Sequence, residues 1–428
     1  MNSGKVRWFE EARFGMFVHW GVYSLIGRGE WVRSNEQLSN ADYQPYVEQF
    51  DPQSFDAERI ASLAAEAGMK YVVFTARHHD GFCLFDTKTT DYQSVQHTGR
   101  DYVREMLEAV RRHGLKAGLY YSLIDWHHDD YPHYGDRIHP QRNDPAWRGY
   151  EHHFENYLDY MHEQVRELCT NYGRLDILWL DYSYDDMTGE KWRGCELVRM
   201  IRSLQPDIIL NNRLEGSGEG LGSLISGHPT EMAGDFVSPE QIIPPQGVTD
   251  ENGRHVPWEA CVTMNNHWGY YETDHYFKPA DMLIRKLVEC VSKNGNLILN
   301  IGPDGNGCIP EESVWILKEI GAWMKHSGES VIGCGGVPIC KPEYGRITGN
   351  GKTLYYHVME GMIGGIPLIG LKKEQISRIT LLKTGRSLPV SETWITGNYP
   401  DIVFTDLGED PRLPDTAAGI PCQAVLPG

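Results

Sequence analysis

The 428-residue sequence contains no run of 18 apolar residues, which removes a membrane-spanning helix of ordinary length. It also lacks basic charge: 40 lysines and arginines face 59 aspartates and glutamates, a formal net charge of −19. Such a chain repels a phosphate backbone or an anionic lipid surface, so neither nucleic-acid nor membrane partners are expected. Neither C-x-x-C nor H-E-x-x-H occurs, and the nine cysteines show no paired short spacings. Structural zinc and a disulfide framework are therefore not expected. The opening residues MNSGKVRWFEEARFG carry no apolar core of the kind a secretory leader has. With thiols expected to be reduced, this leads to the expectation of a cytoplasmic protein. No G-x-G-x-x-G turn follows the first apolar run, which weakens the case for an open, doubly wound sheet.

What is present alternates. Apolar strand-like runs lie at 14–20 (FGMFVHW), 70–75 (KYVVFT), 115–121 (LKAGLYY), 175–181 (LDILWLD), 207–211 (DIILN) and 296–301 (NLILNI). Between and after them, helical periodicity marks 55–67, 99–113, 150–170, 193–204, 278–293 and 311–326. In the helix at 150–170, for example, Phe154, Leu158, Met161, Val165 and Leu168 form one stripe. Continuous apolar strands alternating with amphipathic helices describe a parallel sheet covered by helices, and this many units suit a (β/α)-barrel. Beyond about residue 328 helical runs give way to short β-like segments at 353–358, 378–381 and 392–396, punctuated by Gly and Pro. One apolar core tends to split beyond about 250–300 residues. The expected organisation is a barrel over 1–328 and an antiparallel β domain over 329–428.

The strands end in unusual residues: His19-Trp20-Gly21, Arg77-His78-His79-Asp80, Tyr120-Tyr121, Trp179-x-Asp181 and Asn211-Asn212-Arg213. Later come Trp258-Glu259 and His267-Trp268-Gly269-Tyr270. Any one of them has a plain structural explanation, such as a cap, a turn or core packing. In a barrel, however, the strand ends share one mouth. Indole faces that cover C–H patches, with imidazoles, carboxylates and a guanidinium for hydroxyls, suit a neutral polyhydroxylated ligand. His78, His79, Asp80 and Asp181 are also metal-ligand types, but adjacent histidines match no common zinc spacing and no metal is expected. A carbohydrate-binding protein without turnover is the remaining alternative.

Several segments together resemble the α-L-fucosidases of glycoside hydrolase family 29. They are WFEEARFGMFVHWGVYS (8–24), Glu30-Trp31, ARHHDGFCLFDTKTTDYQS (76–94), LKAGLYYSLIDW (115–126), LDILWLD (175–181), HWGY (267–270) and NGNLILNIGPDGNG (294–307). The resemblance implies a (β/α)8-like TIM-barrel variant followed by a C-terminal antiparallel β-sandwich. It implies a retaining, exo-acting α-L-fucosidase with no cofactor, acting on fucosylated oligosaccharides or glycoconjugates, α-1,3/1,4-linked ones among them. It leaves a homo-oligomer open. Carried over by motif, Asp181 is the nucleophile, and His19, Glu30, Trp31, His78, His79, Trp179 and Arg213 bind the sugar. Tyr121 is favoured over Tyr120 as the pocket tyrosine, and Trp268 or Phe82 as the apolar patch for the fucose methyl. Glu240, in GDFVSPEQ, resembles the proton donor of the family, and Glu259, in PWEA, competes with it.

Overall fold

The computed structural model describes residues 3–216, 220–361, 364–408 and 420–425. Seven strands build the main sheet: β1 (Phe14–Val18), β2 (Tyr71–Arg77), β3 (Lys116–Ser122), β4 (Ile177–Asp181), β5 (Ile209–Leu210), β6 (Glu259–Thr263) and β7 (Asn296–Ile301). All pair in parallel, in the order β5-β4-β3-β2-β1-β7-β6. Every strand residue except Lys116 is buried, which is why the sequence shows apolar runs rather than alternation. The sheet curls into a barrel-like core, and residues 236–240 bridge its two edges. Phe236 pairs with Asn211 on one side, and Val237 and Glu240 pair with Trp258 and Cys261 on the other. Backbone bonds from Asp235 N to Leu210 O (2.7 Å) and from Glu259 N to Val237 O (2.9 Å) seal this seam.

Helices cover the outside. Ala57–Glu66 and Tyr102–Arg112 begin at Asp56 and Asp101, whose carboxylates accept from the backbone three residues on. The second stops at Gly114, whose φ of 71° is natural only to glycine at a helix end. Two ten-residue helices were not expected, Asn40–Gln49 and Ser3–Ala12, of which the second closes the barrel floor. Its Phe9 is fully buried against Tyr71 (5.8 Å) and Phe236 (4.7 Å), and its carbonyl accepts from Asn296 (2.8 Å).

Beyond the barrel, two small antiparallel sheets stand on a second apolar cluster that includes Tyr356, Leu368, Leu381 and Val403. The strand expected at 392–396 is instead a short turn, Trp394–Gly397, with Trp394 88% exposed. Among the described residues no strand pairs with it.

Close packing at the floor gives one direct test. A Cβ on Gly15 would lie 2.2 Å from the ring of Tyr71, which is itself locked by Glu259 and Asn296. Gly15→Ala should cost about 1–3 kcal/mol, read as a lower midpoint in urea unfolding; an unchanged midpoint would show that the floor can yield.

Candidate active site

The mouth of the barrel gathers side chains from at least six strand ends. Strand β1 delivers His19, whose Nδ1 lies 2.7 Å from Asn300 Oδ1 on β7. Strand β2 runs into His78 and His79; His78 stacks on Tyr120 and His79 meets Ser122 Oγ at 2.8 Å. Asp80, one residue on, turns away and accepts from the Tyr43 hydroxyl (2.8 Å). The fully buried Arg77 ties the ends of β2 and β3 together through Asp125 (3.1 Å), Gln164 (3.0 Å) and the Ser122 carbonyl (2.7 Å).

Strand β4 supplies Trp179 and Asp181 to the same interior face, as period two requires. Asp181 is held at both oxygens. Tyr120 donates to Oδ2 at 2.8 Å, and Arg213 Nη1 donates to Oδ1 at 2.9 Å. The same Arg213 nitrogen lies 2.9 Å from Glu240 Oε2. The two carboxylate oxygens are therefore separated by at most twice that distance. The other Glu240 oxygen accepts from the indole of Trp268 (3.0 Å). Arg213 is fixed from behind by Ser238, through Oγ (3.1 Å) and the carbonyl (3.2 Å), and its guanidinium sits 5.0 Å over the Trp179 ring. Burial alone would lower the affinity of Arg213 for its proton; Asp181, Cys261 and Glu240 outweigh it and raise it.

These groups, with Glu30, Trp31 and Tyr182, enclose a cup of about 80 Å³. Glu30 is buried and accepts from Gly269 N (2.7 Å), so it anchors the loop that carries Trp268. Burial raises its carboxyl above the ordinary range. Phe17 closes the base, 4.9 Å from Trp179 and 4.4 Å from His19. Outside the cup a cleft of about 850 Å³ opens past Tyr182, Tyr184 and Arg137.

The sequence-expected His19, Glu30, Trp31, His78, His79, Trp179, Asp181, Arg213, Glu240 and Trp268 all line this cup. Tyr121 does not. It points into the helix layer, where its hydroxyl donates to Gln164 (2.7 Å) and its ring lies 4.3 Å from the Arg77 guanidinium. Tyr120 takes the expected place. Phe82 is also elsewhere, packed against Phe50 and Tyr92. Glu259 lies at the opposite end of the barrel, fully buried beneath Trp179, where it accepts from Tyr71. Burial pushes its carboxyl up to about 8. Phe17, Cys261 and Tyr182 were missed, and Tyr120 was named but ranked below Tyr121. The register that pairs Tyr120 with Trp179 reverses that order.

Two carboxylates sharing one arginine at the rim of a small aromatic-walled cup, where the strands of a barrel end, define a glycoside hydrolase. The family model described as alpha-L-fucosidase matches residues 2–329, and the chain belongs to that family, glycoside hydrolase family 29. Its activity is that of an exo-acting α-L-fucosidase. The chain is similar to alpha-L-fucosidase isoenzyme 1 from Paenibacillus thiaminolyticus, with 47% identity over 99% of both chains and a TM-score of 0.94. It is similar to a GH29 enzyme from Bacteroides thetaiotaomicron solved as a trapped covalent intermediate with 2-fluoro-fucosyl fluoride. There the identity is 26% over 100% of this chain and 97% of that one, with a TM-score of 0.83. The alpha-L-fucosidase of Dictyostelium discoideum is 28% identical over 76% of this chain and 71% of its own length.

The cytoplasmic expectation is overturned by relatives named plasma and tissue alpha-L-fucosidases in Rattus norvegicus and Homo sapiens. It rested on thiol spacing and N-terminal composition, neither of which fixes a compartment. Among the described residues no helix is long and apolar enough to cross a membrane.

The tyrosine pair offers a clean comparison. Losing a hydrogen bond to a charged group costs about 1.5–3 kcal/mol, so Tyr120→Phe should lower kcat roughly 10- to 100-fold. Tyr121→Phe should leave kcat near wild type and lower the unfolding midpoint instead. The reverse pattern in steady-state rates and melting curves would show that the two faces of β3 are assigned wrongly.

Acid should weaken the fold. Burial holds His19, His127 and His133 down to about 4, and His78 and His79 further below the imidazole range. Below about pH 6.5 the unfolded chain binds these protons and the native protein does not, so stability falls as pH drops towards 4. Glu259, up at about 8, and Asp80, up at about 6, oppose this, because they take protons first in the native state. With five histidines against these carboxyls, the unfolding free energy from urea titrations should decline between pH 6.5 and 4.5. A flat or rising profile would mean the histidines are accessible to protons in the folded protein.

Proposed function

We propose that the chain hydrolyses terminal α-L-fucose, including α-1,3/1,4-linked fucose of oligosaccharides or glycoconjugates, with retention by double displacement. The observation that carries this reading is the shared Arg213 nitrogen, 2.9 Å from Asp181 and 2.9 Å from Glu240. The upper bound it sets on the carboxylate separation includes the ~5–5.5 Å of retaining enzymes. The intermediate trapped in the Bacteroides thetaiotaomicron relative supports a covalent route.

In this mechanism Asp181 attacks the anomeric carbon, while Glu240 gives its proton to the departing oxygen. Tyr120 and Arg213 aim the nucleophile. Glu240 is the more exposed of the two, with its side chain 35% accessible against 9% for Asp181, as suits the group that meets the leaving group at the rim. Once the glycosyl-enzyme forms, Glu240 draws a proton from water, which attacks and frees the sugar. His19, His78 and Glu30 address the sugar hydroxyls, and Phe17 with Trp268 receives the C6 methyl. Glu259, at the floor, is a structural carboxyl. The same reading divides the chain into a catalytic barrel, 1–328, and a supporting β domain, 329–428; the separate apolar cluster around Tyr356 and Leu381 supports that division.

The test is chemical rescue. Asp181→Gly should fold cooperatively and lose roughly 10³-fold or more in kcat, and azide should restore turnover by occupying the vacated space. Glu240→Ala should retain activity on fucosides with good leaving groups and lose it on poor ones. Normal hydrolysis by Asp181→Gly, or a leaving-group effect in Glu259→Ala in place of Glu240→Ala, would overturn the assignment. A panel of linkage isomers reads the specificity.

A further inference from the structure

The residue after Asp181 has a backbone that does not suit it. Tyr182 has φ of +82°. Six other described residues with side chains have positive φ, all between 48° and 63°, the ordinary left-handed well. Values near 80° are otherwise occupied by glycines, such as Gly68 and Gly81, each of which has a neighbour or turn that demands it. A tyrosine there is a genuine outlier, and glycine would relieve the turn.

Nor is the ring a core residue. It is half-buried, with ring neighbours His79 (4.9 Å), Trp31 (5.2 Å) and Tyr184 (5.6 Å). Its hydroxyl makes no hydrogen bond with the described residues. Of the aromatic side chains around the inner cup, Tyr182 alone also lines the outer cleft. Asp181, Arg213 and Glu240 share that border. On the proposed mechanism, the bond to be cut lies across it, with fucose inside and the leaving group outside.

We infer that Tyr182 is a specificity residue for the leaving group. Its ring is the platform on which the first sugar beyond fucose lays an apolar C–H face, and the strained turn holds that platform beside the nucleophile. This inference rests on the reading of the site given above and names what the outer cleft takes: a pyranose ring rather than a small or acyclic leaving group.

The experiment compares kcat/KM on α-L-fucosyl fluoride, whose leaving group has no ring, with kcat/KM on fucosylated trisaccharides. The proteins are wild type, Tyr182→Gly, Tyr182→Asn and Tyr182→Phe, each also melted thermally. Asn tolerates positive φ and covers the case in which the glycine variant misfolds. For Gly and Asn the loss on the trisaccharide should exceed the loss on the fluoride by roughly tenfold or more. Phe should keep the wild-type ratio, and Gly should melt no lower than wild type. Equal losses on both substrates, or a lower melting temperature with an unchanged ratio, would overturn the role of Tyr182. Wild-type protein that turned over neither substrate would instead refute the reading of the site as a whole.

Discussion

The site depends on one guanidinium placed between two carboxylates where the inner cup meets the outer cleft. Arg213 is 5% exposed and Asp181 7%, and charges this deep persist only when paired and hydrogen-bonded. Without the arginine, the carboxyl groups of Asp181 and Glu240 would lie across a few ångströms of low dielectric with no cation between them. Where Arg213 sits therefore decides where both carboxylates can sit. Its own position is set by Ser238, and Ser238 belongs to the irregular segment that bridges β5 and β6. The seam that closes the barrel is thus also the part that assembles the charge cluster. A regular stave would send alternate side chains to the barrel interior and to the helix layer. This one carries Pro239, which cannot donate to the ladder, and pairs through single bridges. That irregularity leaves Glu240 projecting to the rim.

The barrel floor serves the same electrostatics from below. The helix Ser3–Ala12 seals it, and Tyr71, Asn296 and Glu259 form a hydrogen-bonded knot under Trp179. A charged carboxylate there would add a further negative group beneath Asp181. Burial pushes Glu259 up to about 8, so near neutral pH its proton is largely retained and the floor is close to neutral. The field at the mouth is then left to Arg213 and its two partners.

Much of this was legible in the sequence, and the reasons differ by element. Strands buried on both faces announce themselves as apolar runs, and the covering helices by stripes and caps, so the alternation of the barrel was readable. The 236–240 seam was not: FVSPE has no run and no period, and its role exists only because two distant edges need joining. The N-terminal helix was hidden in a motif read for other reasons. Tyr120 and Tyr121 show the limit of period two most clearly. A strand buried on both faces gives no sign of which face is the interior, and only the register against Trp179 settles it. Phe82 sits in a motif beside two pocket histidines, but the turn at Gly81 sends it into the packing around Phe50. Trp394 failed for the opposite reason, since its strand-like spacing meets no sheet among the described residues.

The shape of the site divides the work of recognition. The cup of about 80 Å³ is closed at its base by Phe17 and Trp179 and walled by buried histidines, so it offers a continuing chain no exit through its base. Exo action follows from that dead end. The outer cleft of about 850 Å³ is different in kind. Its wall is formed by residues 181–185 at the end of β4 and by the long loop after β3, which carries Arg137 and Ile138 to the cleft. That wall is pinned where Tyr184 meets both Asp136 and the hydroxyl of Tyr131 (2.8 Å). The cleft lining joins buried Asp181, Ser183, Tyr184 and Arg213 to exposed residues: Arg137 and Asp185, 3.6 Å apart, keep 59% and 55% of their side-chain surface. Selectivity for fucose is therefore built into packed strands, where a change disturbs the core. On the proposed reading, what fucose is attached to meets the connections after β3 and β4, where side chains such as Arg137 and Asp185 can change without disturbing the barrel.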